Sequence, residues 1–147
     1  MYHNRSRGFT LIELLVVIAI IGVLSAVVLA SLNTARSKGN DAAIQANLST
    51  IQTQAELYYG DAGGNSYGTA GSVCTAAVFA EATIAKAITS AESANGSGVV
   101  VCNNLTTEYA ISSPLSSDTT KYWCVDSTGF AGQRVTALST NTTCPAS

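Results

Sequence analysis

The chain has 147 residues, a formal net charge of -2 and 11% charged residues, against a hydrophobic fraction of 47%. That is room for one domain of ordinary size, and beyond residue 38 the basic residues Lys86, Lys121 and Arg134 stand apart, so no cationic cluster tracks a phosphate backbone and no clear nucleic-acid site is present. His3 is the only histidine and the acids are scattered singly, which argues against an enzyme and supplies neither a metal-ligand set nor a cofactor motif.

A short tail carrying Arg5 and Arg7 leads into RGFTLIELLVVIAIIGVLSAVVLASL, residues 7 to 32. Between Leu14 and Leu32 there is no charge and no proline, about 28 Å of helix at about 1.5 Å per residue, close to the hydrocarbon thickness of a bilayer. A buried core helix of a soluble protein would carry polar interruptions. A secretory signal peptide accounts for Arg5, Arg7 and the small residues of Val28 to Ala30, with cleavage before Ser31. It gives Glu13 no purpose, because an acid at the start of the apolar segment weakens insertion. A permanent single-pass anchor tolerates Glu13 by snorkelling, since the cost of about 2.5–3.5 kcal/mol belongs to the bilayer centre. Arg36 and Lys38 beyond the run nearly balance Arg5 and Arg7, so the positive-inside rule orients the segment weakly.

One further reading accounts for these features together. RGFTLIEL closely resembles the prepilin processing site of the type IV pilin and pseudopilin family: a short basic leader ending in Gly8, then Phe9, then a glutamate as the fifth residue of the mature chain, followed by an uninterrupted apolar helix. The resemblance covers about the first 35 residues. It implies cleavage between Gly8 and Phe9 by a membrane-embedded prepilin peptidase and N-methylation of Phe9. Glycine suits that cut, having no side chain to obstruct the protease. It also implies filament assembly through Glu13, which in the family pairs with the N-terminal amine of a neighbouring subunit. Many type IV pilins carry a proline at the position of Ala30, and this chain does not. Gly22 matches a glycine common in the family, so local unwinding between about residues 22 and 32 stays open.

After a polar stretch, NTARSKGND, helical periodicity resumes. Ile44, Leu48, Ile51, Ala55 and Tyr58 form one apolar stripe, which packs on the domain's own sheet. The helix thus extends from about Phe9 to Tyr59. GDAGGNSYGTAG, residues 60 to 71, is a loop by its glycines, and TAAVFAEATIAKAITSAESA reads as one or two short helices with Phe79, Ile84 and Ile88 on one side. GSGVVVCN, EYAISSP, KYWCVDSTG and, more weakly, QRVTALS are strands separated by turn residues, an antiparallel meander. Alternation in KYWCVD places Tyr122 and Cys124 on one face and Trp123 and Val125 on the other, and size favours burying the Trp123 face against the long helix. Asp61, Asp118 and Asp126 lie in or near loops and read as solvated turn residues rather than calcium ligands. Tyr58, Tyr59, Tyr67, Tyr109 and Tyr122 are assigned to packing rather than to an aromatic binding surface.

Cys74, Cys102, Cys124 and Cys144 are an even set, widely spaced and without a CxxC pair, which reads as two disulfides in an exported domain. Of three connectivities, Cys74 with Cys102 and Cys124 with Cys144 is favoured because each closes one local excursion; the spacing does not decide it. Two such staples suit a domain with few large aliphatic residues.

The expected fold class is α+β, a long N-terminal α-helix packed on a small antiparallel sheet. Its parts are a leader (1–8), a transmembrane and assembly helix (9–32) and an exported head (33–147). The resemblance implies a structural subunit of a type IV pilus or related filament, a homopolymer with other pilin subunits. It implies dependence on prepilin peptidase, an inner-membrane platform and an assembly ATPase. The chain would be a single-pass protein of the bacterial inner membrane before assembly and part of an extracellular filament after it. A type II secretion pseudopilin ranks lower, because the C-terminal region has no acidic cluster of the calcium-binding kind. A membrane-anchored binding or adhesion domain is the other alternative. In pilins a disulfide-bounded C-terminal loop often faces outward, which makes residues 126 to 144 the candidate for surface contacts.

Overall fold

The computed structural model describes residues 8–96 and 98–145. The tail residues His3, Arg5 and Arg7 lie outside them. Two compact units divide the chain, one ending at Arg36 and the other beginning at Ser37.

Helix α1 runs Leu11–Gly60 without a break, through Gly22, Ala30 and Gly39 alike. The chain's first proline is Pro114, so no residue here removes a helical hydrogen bond. In the single chain, residues 22 to 32 are helical throughout. In the first unit every side chain from Leu11 to Leu32 is exposed, and the helix is long and apolar enough to cross a membrane. A soluble surface helix would place polar residues on its outer face. This one has leucine, isoleucine and valine all round, as a lipid-facing helix does.

In the second unit the pattern changes to one face. Ile44, Leu48, Ile51 and Ala55 are fully buried and Tyr58 packs at their margin. They share a core with Tyr109, Ile111 and Val125 of the sheet and with Phe79, Ile84, Ala87, Ile88 and Ala91. Phe79 belongs to a single 3-10 turn, Ala77–Ala80, and the last four to helix α2, Ala82–Asn95. Glu81 caps α2, its carboxylate accepting from the amides of Thr83 at 2.8 Å and Ile84 at 3.0 Å, which satisfies two of the donors every helix start leaves open.

The strands are β1 Val101–Asn104, β2 Tyr109–Pro114, β3 Tyr122–Asp126 and β4 Ala131–Arg134, in that order across one antiparallel sheet. The architecture is α+β, as expected. The fourth strand is displaced: it begins at Ala131, before the predicted QRVTALS, and ends at Arg134. The tight Asp126–Phe130 turn, with Gly129 at φ +86°, returns the chain early and sets Val125 opposite Ala131. The positive φ is one that glycine adopts without penalty. Val135 onwards leaves the sheet, and Leu138 folds back to be buried with Ala110 and Cys124 on the opposite face.

Trp123 does lie on the face turned to α1, but only half-buried at the core's edge, whereas Val125 on that face is fully buried. The largest fully buried side chain is Tyr109. The face expected to pack on the helix does so, with Trp123 at its edge because β3 starts at the sheet's margin and its later residues reach the centre.

The glycine-rich segment after α1 is a loop with a fixed anchor. Tyr67, 3% exposed, packs its ring 4.7 Å from Tyr59 and 4.8 Å from Tyr109, centroid to centroid. Its hydroxyl donates to Glu56 Oε1 at 2.9 Å. Gly68 follows at φ +101°, where a Cβ would stand 2.6 Å from the Cβ of Ala77, so only glycine allows this approach. Burial raises the phenol of Tyr67 above its ordinary range, with the Glu56 hydrogen bond adding to it; Tyr109 is raised for the same leading reason.

A raised phenol makes a contribution to stability that is whole below the unfolded value of about 10 and is lost as pH climbs from there through the folded value. Thermal stability of the full chain in detergent should therefore fall steeply above about pH 10. Phenolate absorbance should show Tyr67 and Tyr109 ionising only as the domain unfolds, and Tyr67→Phe should reduce the alkaline loss. Reversible ionisation of all tyrosines in a folded chain would contradict this account.

Candidate functional site

The sequence candidates fall into two places, the N-terminal end of α1 and the disulfide-bounded C-terminal region. At the first, Gly8 and Phe9 precede the helix and are exposed, Phe9 to 82%. A Cβ at Gly8 would meet nothing within 4 Å. Thr10 then caps the helix. Its amide and its hydroxyl both donate to Glu13 Oε2 at 2.8 Å, and its oxygen accepts from the Glu13 amide at 3.3 Å. This is a capping box, T-x-x-E, with each residue satisfying an orphan donor of the other. The start at Leu11 rather than Phe9 follows from it. A carboxylate in the first turn also meets the positive end of the helix dipole.

Glu13 therefore has a local partner within its own chain. Both bonds from Thr10 end on Oε2, and Oε1 accepts from none of the described residues. Thr10 was absent from the sequence candidates, although the T-x-x-E spacing ahead of an apolar run was there to be read.

The second place is built on the outer face of the sheet. Cys74 pairs with Cys102, Cα atoms 5.1 Å apart, and Cys124 with Cys144 at 5.9 Å, so the structure brings together the pairs favoured from the sequence. Asp126, at the end of β3, differs from its expected character: it is 2% exposed. Its Oδ1 accepts from the Thr128 amide at 2.9 Å, the Thr128 hydroxyl at 2.6 Å and the Phe130 amide at 3.3 Å. Its Oδ2 accepts from the Cys144 amide at 2.8 Å. A buried carboxylate is tolerated when donors fill its lone pairs, and here they come from the β3–β4 turn and the chain's C-terminal segment at once. Gln52 of α1 donates to the carbonyls of Asp126 and Phe130 at 3.1 Å, fixing that turn to the helix.

The C-terminal segment has further ties. Asn103 Nδ2 donates to the carbonyls of Ser139 at 2.7 Å and Asn141 at 3.0 Å, and the Thr142 hydroxyl to Glu108 Oε2 at 2.7 Å. Between this segment, the end of β1 and residues 70–72 lies a cleft of about 480 Å³ with Asn103, Asn104, Asn141 and Thr142 among its walls.

Asp118 does behave as a turn residue. It accepts from the Thr120 hydroxyl and amide at 2.6 and 3.1 Å and pairs with Lys121 at 3.2 Å. The Thr120 bonds, then Lys121, hold its carboxyl below the usual range. Asp61 is exposed just past α1. Among the described residues no group of three or more His, Cys, Asp or Glu side chains is placed to hold a metal ion.

Comparison with known proteins gives the N-terminal end its context. The family model for the prokaryotic N-terminal methylation motif matches residues 3–29. The type IV wide pilus major component PilA4 of Thermus thermophilus is 45% identical over 64 residues, 44% of this chain and 47% of that protein. The type IV major pilin protein PilA of Myxococcus xanthus is 32% identical over 60 residues, 41% of this chain and 27% of that protein. The chain thus spans less than half the length of either curated relative. No solved structure matches it.

The capping box has a measurable consequence. Thr10→Val should cost about 1 kcal/mol of local helix stability, seen as faster hydrogen exchange at the amides of residues 10–14 in detergent, with exchange in the sheet unchanged. Unaltered exchange at those amides would remove the cap from the account. Gly8, the capped Glu13 and the apolar helix as far as Leu29 all lie inside the residues that match the prokaryotic N-terminal methylation motif.

Proposed function

We propose that this protein is a structural subunit of a type IV pilus or a related filament. In this reading residues 1–8 are the leader, 9–32 the transmembrane and assembly helix and 33–147 the exported head. The observation that carries it is an apolar helix exposed on all sides from Leu11 to Leu32 that opens, inside a matched methylation motif, on one capped carboxylate. The relatives' roles as a wide pilus major component and a major pilin support a filament.

Prepilin peptidase cuts between Gly8 and Phe9 and the new amino group is methylated. The charged tail is removed and the apolar helix stays attached. Stored in the inner membrane, the subunit leaves lipid only when its helix can be covered by other such helices, because that much apolar surface is strongly unfavourable in water. The Phe9 amine is then a cation in an apolar bundle, costly if unpaired. Glu13 of the neighbouring subunit supplies the counter-charge. Thr10 holds one oxygen of that carboxylate, and the other is free to meet the amine, so each incoming subunit stops in one axial register. An inner-membrane platform and a cytoplasmic ATPase drive the extraction, and the filament stands outside the cell. Enzymatic activity has no part in this role.

The mass of the N-terminal peptide from the native cell envelope tests the processing step. Methylated Phe9 is expected. A chain starting at Ser31 would mean an ordinary signal peptide, and an intact Met1 a stalked membrane protein; either would overturn the reading. For Glu13→Ala the expectation is normal cleavage with a sharply reduced yield of sheared filaments, and an ordinary yield would refute the pairing role.

A further inference from the structure

The sheet sorts the four cysteines by face. Cys102 stands opposite Ile111 and Ile111 opposite Val125, and all three belong to the core under α1, where Cys74 also packs. Cys124 stands opposite Ser112 and Gly132, on the other face with Ala110, Leu138 and Cys144. Side chains alternate between faces along a strand, so once the sheet has formed it lies between Cys102 and Cys124 and keeps them from pairing.

Cys144 still has to return across 20 residues to meet Cys124, and closing such a loop costs entropy. The structure contains a non-covalent device for that return. Asp126 follows Cys124 by two positions, on the same face of β3. Its Oδ1 is oriented by the Thr128 amide and hydroxyl and the Phe130 amide, and its Oδ2 takes the Cys144 amide at 2.8 Å. Asn103 gathers the carbonyls of Ser139 and Asn141, and Leu138 is buried in one cluster with Ala110 and Cys124.

We propose that Asp126 is a positioning residue for oxidation of the Cys124–Cys144 pair: in the reduced, folded domain it holds Cys144 over Cys124, and the disulfide locks a clasp that already exists. With a glutathione disulfide as oxidant, the Cys144 thiolate, the more accessible of the two, attacks one sulfur and releases one glutathione thiolate. The Cys124 thiolate then attacks the Cys144 sulfur of the mixed disulfide and releases the second. Two protein thiols become one disulfide, two electrons pass to the glutathione disulfide, and the two thiol protons end on the two glutathione thiols. Holding the reacting sulfurs together raises their effective concentration.

The test uses the full chain in detergent, equilibrated at graded ratios of oxidised to reduced glutathione, with each disulfide quantified by thiol trapping and peptide mass. Asp126→Ala should lower the equilibrium constant for Cys124–Cys144 by about tenfold or more, through the lost effective concentration, and leave Cys74–Cys102 essentially unchanged. An equal fall in both would mean that Asp126 only supports the fold as a whole, and no fall in either that it does not position Cys144; both results overturn the proposal. If Asp126→Ala does not fold, the double variant Cys124→Ser, Cys144→Ser decides. With Asp126 intact, its backbone amide at position 144 should remain protected from hydrogen exchange, and exchange at the rate of a free chain would refute the preformed clasp.

Discussion

A sheet of four short strands has two faces to keep from water, and the head meets that constraint with very little apolar material. On one face α1 and α2 bring Ile44, Leu48, Ile51, Ile84 and Ile88 against Tyr109, Ile111 and Val125, an ordinary helix-on-sheet layer. The other face has no helix. It is covered by the chain's own C-terminal segment, whose one buried large side chain there is Leu138. Dispersion and burial from a single leucine are small against the entropy of ordering a segment of this length. Polar ties must supply the rest, and they converge on Asp126 and Asn103.

That convergence explains why a carboxylate sits at 2% exposure in a domain with few charges. An acid can accept several backbone and hydroxyl donors at once, and charge-assisted bonds are stronger than neutral ones. Asp126 closes the β3–β4 turn, fixes the last strand's register and receives the returning chain, while Gln52 ties the same turn to α1. The tertiary order is thus passed from helix to turn to C-terminal segment through one residue's main chain and side chain. Asp41 does a similar service at the other end of the sheet. It accepts the amides of Ser116 at 2.7 Å and Ser117 at 3.1 Å and the Ser117 hydroxyl, which anchors the β2–β3 connection to the helix.

The N-terminal helix answers to a different solvent. Its first turn uses Glu13 to satisfy Thr10, and the filament reading uses the same carboxylate to receive a neighbour's amine. The two roles are compatible because a carboxylate has two oxygens, and a cap that occupies one also fixes the direction of the other. A side chain already held in place loses less freedom when its second partner arrives. A glutamate near the start of an apolar helix is costly, and in the filament reading that cost is offset by both a helix to cap and a cation to meet.

The periodicities were legible in the sequence because they are local. The unbroken apolar run, the stripe from Ile44 to Tyr58, the glycine-rich loop and three of the four strands follow from spacing and composition alone, whereas the stretch around Gly8, Phe9 and Glu13 was legible through its resemblance to prepilin processing sites. What the sequence left undecided depends on neighbours distant along the chain. Trp123 is half-buried because of where β3 meets the sheet's edge, and β4 begins at Ala131 because the Asp126 turn is tight. Asp126 looks like any loop acid until the C-terminal segment folds over it, and the pairing of four cysteines is settled by which face of the sheet each one occupies. Helix and strand are written in short-range steric preference and hydrophobic period. The burial of a charge and the meeting of two sulfurs are set by packing that brings remote residues together, and only the tertiary structure decides those.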